Sequence, residues 1–240
     1  MSYLEKLLNG AEVEWKMLGE VATIYGGLTG KSKSDFQNGN AYYISYKNIF
    51  NNLEVDFNNL EMVKILENEK QHKVKRGDVL FTGSSEVANE AGMSCAVTQN
   101  FQNNIYLNSF SFGVRFNDDI VIIPEFSKYL FRCYFMREQI TKTASGVTRF
   151  NVSKERFKKI KIPIPPLDVQ RKIVEVLDNF TELTARKKQY EYYRELLLTF
   201  DNISGKGGAR LIPFVLGKWC GRCWERYWYA QKELKLLLVE

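Results

Sequence analysis

Residues 158 to 180, KKIKIPIPPLDVQRKIVEVLDNF, place three of the chain's five prolines within four positions, Pro163 to Pro166, and then enter the longest helical pattern in the sequence. Each residue before a proline is pushed out of the helical region, and a proline cannot donate to a strand ladder, so KIKIPIPP reads as an extended edge. Pro166 suits the first turn of a helix, with Asp168 favourably near its positive end. From about Pro166 to Phe200 nothing breaks the pattern: Ile173, Val176, Leu177, Phe180, Leu183, Tyr190, Tyr193 and Leu197 recur at helical spacing. At about 1.5 Å per residue such a rod is roughly 50 Å long. It carries six basic and six acidic side chains over 163 to 200, so it is no electrostatic arm. A rod longer than a globular domain can cover, apolar along one seam except at Lys187, asks for a second helix beside it. The prolines therefore end a globular unit, residues 1 to 162, and begin a coiled-coil-type spacer and dimerisation helix, residues 163 to 204. Residues 205 to 240 form a separate tail.

Turn residues divide the globular unit. Residues 2 to 8 read as a short helix, and VEWKMLGEVATIYGG reads as a strand ending in glycines. AYYISYKNIF, GDVLFTGSS, GMSCAVTQN and SFSFGVRF follow at strand-like intervals, which predicts a curved, mainly antiparallel sheet. PEFSKYLFRCYFMREQITKT predicts a helix begun at Pro124, with Glu125 in its first turn and much of its outer face basic. VSKERF holds a partial capping box at Ser153. The fold class is α+β.

Charge is uneven along the chain. Residues 121 to 162 hold ten Lys or Arg against three Asp or Glu, whereas residues 1 to 120 hold eleven against fifteen. A basic segment dispersed among Tyr and Phe suits a polyanion such as DNA, and it also suits a solvated helix face. With 240 residues and 45% hydrophobic content the chain is not disordered. No apolar run reaches the roughly 18 to 20 residues of a membrane helix, and the start lacks a secretory signal, so a soluble cytoplasmic protein is expected. Four cysteines are too sparse for a disulfide scaffold.

WKMLGEVATIYGG, GDVLFTGSS, SGVTRFNVSKERFKKIKIPIPPLDVQRKIVEVLDNF and YEYYRELLLTF together resemble the specificity subunit of type I restriction-modification systems over about residues 11 to 205. IPIPPLDVQRKIVEVLDNF is the most specific part. The resemblance implies a target recognition domain that reads one half of a split DNA sequence, followed by a long spacer helix. A full subunit has two of each, so this chain resembles a half-subunit. Such a half should pair with a copy of itself about a two-fold axis, helices antiparallel, and read a split palindromic site. The implied partners are double-stranded DNA, a modification (methyltransferase) subunit and a restriction (translocase and endonuclease) subunit. No cofactor, metal or catalytic residue of this chain is implied.

Base edges are read by Arg, Lys, Asn and Gln and by hydroxyls, while phosphate contacts fix the register. The candidates are Thr29, Lys31 and Lys33; Ser45, Tyr46, Lys47 and Asn48; Thr82, Ser84 and Ser85; and Thr148, Arg149 and Asn151, the last group adjoining the basic segment. Each is also an ordinary turn or strand-end residue, and two other classes stay open. One is an interaction protein that binds the methyltransferase subunit without reading DNA. The other is a dithiol redox protein through Cys220 and Cys223 in WCGRC, although too few residues follow for the rest of a thioredoxin fold. GGLTGKS nearly spells a phosphate-binding loop, but its glycines are one residue too close and no helix pattern follows. His72, the single histidine, heads no triad or metal site. The tail departs from the family pattern: ARLIPFVLGKWCGRCWERYWYAQKELKLLLVE stands where a second VEWKxLGEV-like opening is expected, as a truncated or frame-altered subunit would have it.

Overall fold

A computed structural model describes residues 10–198. The helix expected at residues 2 to 8, the end of the long helix pattern and the WCGRC tail lie outside the described residues. Twelve short strands form four small sheets among the described residues, in place of one curved sheet. The central sheet runs β2 (Ala22–Gly26), β9 (Ser111–Phe116), β5 (Val79–Thr82), β7 (Ser94–Ala96), all antiparallel. Strand β5 shows why it is central: Val79 and Phe81 enter one core cluster and Leu80 the other, so the two-residue alternation buries both faces. Within the first cluster Phe81 stacks on Phe112 at 5.4 Å, and both meet Phe157 edge-on at 5.0 and 5.1 Å. Behind the sheet Gly113 leaves room for Tyr25, since a Cβ there would lie 2.1 Å from the Tyr25 ring.

The smaller sheets flank this centre. Strand β3 (Ala41–Ile44) sits between β4 (Glu61–Val63) and β8 (Ile105–Leu107), and its pairing with β8 is parallel. A three-stranded sheet joins β6 (Ser84–Ser85), β11 (Phe150–Val152) and β10 (Ala144–Ser145). The proline edge is β12 (Lys161–Ile164), which pairs with β1 (Glu14–Met17), setting Pro163 opposite Trp15.

Three expected elements are interrupted, the first and third by tertiary contacts. The segment read as one strand from Val13 turns through α1 (Leu18–Val21), because the Leu18 and Gly19 amides donate to the Ile160 and Lys158 carbonyls; β1 and β2 thus join different sheets. After β3 the chain enters α2 (Tyr46–Asn51) rather than continuing as a strand. The helix expected from Pro124 is two, α3 (Pro124–Leu130) and α4 (Tyr134–Thr143), and at the corner between them Phe131 and Arg132 both turn inward. The face expected to be basic is therefore partly internal, since Arg137 on α4 is buried as well. Ser153 does cap α5 (Lys154–Phe157), its Oγ accepting from the Arg156 amide.

The long helix α6 (Leu167–Leu198) starts where the prolines end. Its first turns belong to the globular unit: Val169 is buried, and Ile173 and Val174 pack on the first core cluster. Buried Gln170 donates through Nε2 to the carbonyls of Val121 (2.7 Å) and Pro165 (2.8 Å), and its Oε1 accepts from the Ile123 amide (2.9 Å). Asp178 accepts from the Tyr129 hydroxyl at 2.5 Å and pairs with Lys128 at 2.9 Å. Burial first, then the hydrogen bond to Asp178, raises the Tyr129 pKa, so its proton is retained. These bonds fix the angle at which the helix leaves.

Candidate nucleic-acid interface

Three of the four candidate segments meet at Ser84. Its carbonyl accepts from the Tyr46 hydroxyl at 2.9 Å, and its Oγ accepts from Arg149 Nε at 3.1 Å. Across the small sheet Asn151 pairs with Ser84 and Phe150 with Ser85. Distant stretches of sequence, from α2, β6 and the β10–β11 hairpin, thus form one surface. Gly83 permits this: its amide donates to the Phe110 carbonyl at 2.8 Å, its own carbonyl accepts from Val152, and a Cβ would lie 2.7 Å from the Phe110 oxygen.

Arg149 is the exposed cation of this cluster. Its guanidinium lies 5.8 Å from the centre of the Phe110 ring, and among the described residues its Nη groups have no hydrogen-bond partner. A guanidinium held at Nε and along one face presents a preset fork, the geometry that suits the two acceptors of guanine or a phosphate. Thr148 and Asn151 are exposed beside it, and Val147 at the hairpin tip is 92% exposed. Lys154 lies over Phe112, and Arg156 donates to Ser145 Oγ, so further cations border the hairpin. Tyr46, stacked on Phe50 at 5.9 Å, has its pKa raised chiefly by burial, so it stays a neutral donor. Lys47 is exposed and Ser45 half-buried.

Several expected contacts are used internally. Thr82 is fully buried, its Oγ1 accepting from the Met93 amide, and Ser85 Oγ accepts from the Val87 amide. Ser84 is buried too, so this trio shapes the surface, Ser84 alone bonding Arg149, rather than offering free hydroxyls. Asn48 is buried and clamps Asp56 through both its amide donor and its carbonyl oxygen. Lys31 is held internally as well: its ammonium is bound by the Lys64 carbonyl and the Glu69 carboxylate, with a side chain only 6% exposed. Thr29 exchanges backbone bonds with the Gln71 side chain, and Lys33 is exposed on a short 3-10 turn. No bond joins the segment from Thr29 to Lys33 to the Ser84 cluster among the described residues. Sequence reasoning missed Phe110 and Val147; the Asn108-Ser109 turn signal was present, with Asn108 Oδ1 accepting from the Phe110 amide.

On α6, Ile173 is taken up by the core, and Val176 and Leu177 are half-covered. Phe180, Leu183 and Tyr190 are 60 to 65% exposed, and Tyr193 is also exposed. The Leu197 side chain lies outside the described residues. No helix among the described residues is long and apolar enough to cross a membrane.

This arrangement, a small mixed domain with a cationic hairpin and a projecting helix, matches a known family over most of its length. Residues 11–191 fit the model of the type I restriction modification DNA specificity domain, and the chain belongs to that family. A putative type I restriction enzyme specificity subunit of Haemophilus influenzae is 31% identical over 220 residues, covering 85% of this chain and 50% of the relative. The specificity subunit of the Escherichia coli type I enzyme EcoprrI is 30% identical over 230 residues, covering 86% of this chain and 55% of that one. A solved structure described as showing complex assembly and conformational transition of the type I R-M system shares the fold, with a TM-score of 0.53 at 22% identity over 81% of this chain and 48% of the other. The chain spans about half the length of the curated relatives it matches.

Proposed function

We propose that this chain reads DNA sequence for a type I restriction-modification complex, with Arg149 at the centre of the reading surface. The observation that carries the proposal is the convergence on Ser84 of Tyr46, Arg149 and Asn151 from three separate segments, beside the chain's most basic stretch. Arg149, Asn151 and Thr148 contact base edges; Lys47, Lys154, Arg156 and Lys33 hold phosphates. The methyltransferase and restriction subunits supply the chemistry, in the cytoplasm where the DNA is. This chain itself catalyses nothing.

Two copies pair through the exposed stripe of Phe180, Leu183, Tyr190 and Tyr193, running antiparallel as a coiled coil, and place two identical recognition units on one duplex. The target is then a split palindrome whose gap follows the helix length. Binding-site selection from random duplex, with the chain mixed with its methyltransferase subunit, tests this reading. Recovery of a two-part inverted motif is expected; a pool with no shared motif would leave only the non-reading interaction protein.

A further inference from the structure

Two arginines of the basic stretch face the interior, Arg132 at 8% and Arg137 at 5% exposure. Arg132 donates through Nε to the Ser94 carbonyl (2.6 Å) and through one Nη to the carbonyls of Ile49 (3.0 Å), Phe50 (3.1 Å) and Asn52 (2.9 Å), at the end of α2. Arg137 donates to the carbonyls of Ala91 (2.7 Å), Asn89 (3.0 Å) and Gly92. Its Nε has no partner among the described residues, and burial, with the like charge of Arg132, pulls its pKa down to about 9. A buried guanidinium is costly, and a hydrocarbon of similar size would fill the same space without that cost. What a hydrocarbon cannot do is bind carbonyls and fix where a loop lies.

The two sets of carbonyls belong to two sides of the proposed reading surface. α2 carries Tyr46 and Lys47. The loop from Glu86 to Gly92 leaves directly from Ser84–Ser85, is tied at its start by the Val87 amide on Ser85 Oγ, and includes Glu90, whose charge, like that of Arg149, acts on the Tyr46 hydroxyl. At its tip Val87 is half exposed and Asn89 exposed. An asparagine amide matches the paired donor and acceptor of adenine, and a valine methyl matches the thymine methyl.

We propose that Arg132 and Arg137 are positioning residues for sequence discrimination, and that the loop tip they help to place, Val87 and Asn89, reads bases alongside Arg149. The proposal rests on the DNA-reading function above. A preset loop discriminates because a small displacement of a base-reading group loses its contact, while phosphate contacts tolerate it.

The test measures affinity for a selected site and for random duplex with Arg137→Lys, which loses the planar fork that holds three carbonyls, and with Asn89→Ala, which leaves the core untouched. Each variant is expected to lose roughly tenfold on the selected site. Binding to random duplex is expected to stay the same, and Asn89→Ala should relax the preference at one position of the motif. If Arg137→Lys does not fold, Asn89→Ala and Val87→Ser decide. Unchanged discrimination, or equal loss on both duplexes, overturns the positioning role where Arg137→Lys shows it, and overturns base reading by the loop, and the positioning role that depends on it, where Asn89→Ala and Val87→Ser show it. A parent chain that binds every duplex alike overturns the reading function itself, and this inference with it.

Discussion

The two halves of α6 share one apolar spacing and have opposite surroundings. Near its start Val169 and Gln170 are fully buried, and Asp178 is bonded to Tyr129 and Lys128. From Phe180 onward the same spacing continues, with Phe180, Leu183, Tyr190 and Tyr193 exposed. Periodicity marks a face that will be covered without saying by what. The difference between the halves lies in polar anchors: Gln170 is surrounded by backbone groups that only a folded neighbour provides, whereas the outer half bears internal pairs such as Arg186 with Glu182 that a lone helix makes for itself.

The largest expected effect tests the inner half. Gln170→Leu leaves the Val121 and Pro165 carbonyls and the Ile123 amide without their buried partner, and should lower unfolding free energy by about 3 kcal/mol in urea titration. A loss under about 0.5 kcal/mol, the size typical of a surface site, would mean the joint is not fixed in this way. Tyr129→Phe should cost about 1 kcal/mol. The Tyr129 pKa is raised in the folded chain, so its contribution is complete below the ordinary tyrosine value near 10 and is lost as pH rises above it. Unfolding followed from pH 8 upward should therefore show a shallower alkaline decline in Tyr129→Phe than in the parent. The smallest effect on stability belongs to the outer half: in chains diluted until the parent is monomeric, Phe180→Glu with Leu183→Glu should change unfolding free energy by less than about 0.5 kcal/mol. At higher concentration the same pair should convert the proposed dimer to a monomer in sedimentation equilibrium. A change in stability without a change in mass would show that this stripe is covered within its own chain.

How much was legible depended on how local the cause was. The proline edge and the start of α6 were readable because pyrrolidine rings act on their immediate neighbours. The helix start at Pro124 and the Ser153 cap were readable for the same reason. The break between α3 and α4 was not, since Arg132 turns inward to reach carbonyls some eighty residues earlier in the sequence. At the candidate interface three of the segments named from sequence do meet at Ser84, but the division of labour within them was not readable. Thr82 and Asn48 look like surface donors in sequence and become internal braces, because the amides and carbonyls they satisfy come from Met93, Asp56 and Asn59. Composition likewise counted Arg132 and Arg137 as outward charge, though both are spent on backbone carbonyls.

Affinity of Arg149→Ala for a selected site and for random duplex, measured in parallel at one salt concentration, decides whether the surface at Ser84 reads sequence. A base-reading Arg149 predicts a loss of roughly 1 to 3 kcal/mol on the selected site and little change on random duplex. The same loss on both would make Arg149 a phosphate contact, and no loss on either would contradict a reading surface built around Ser84.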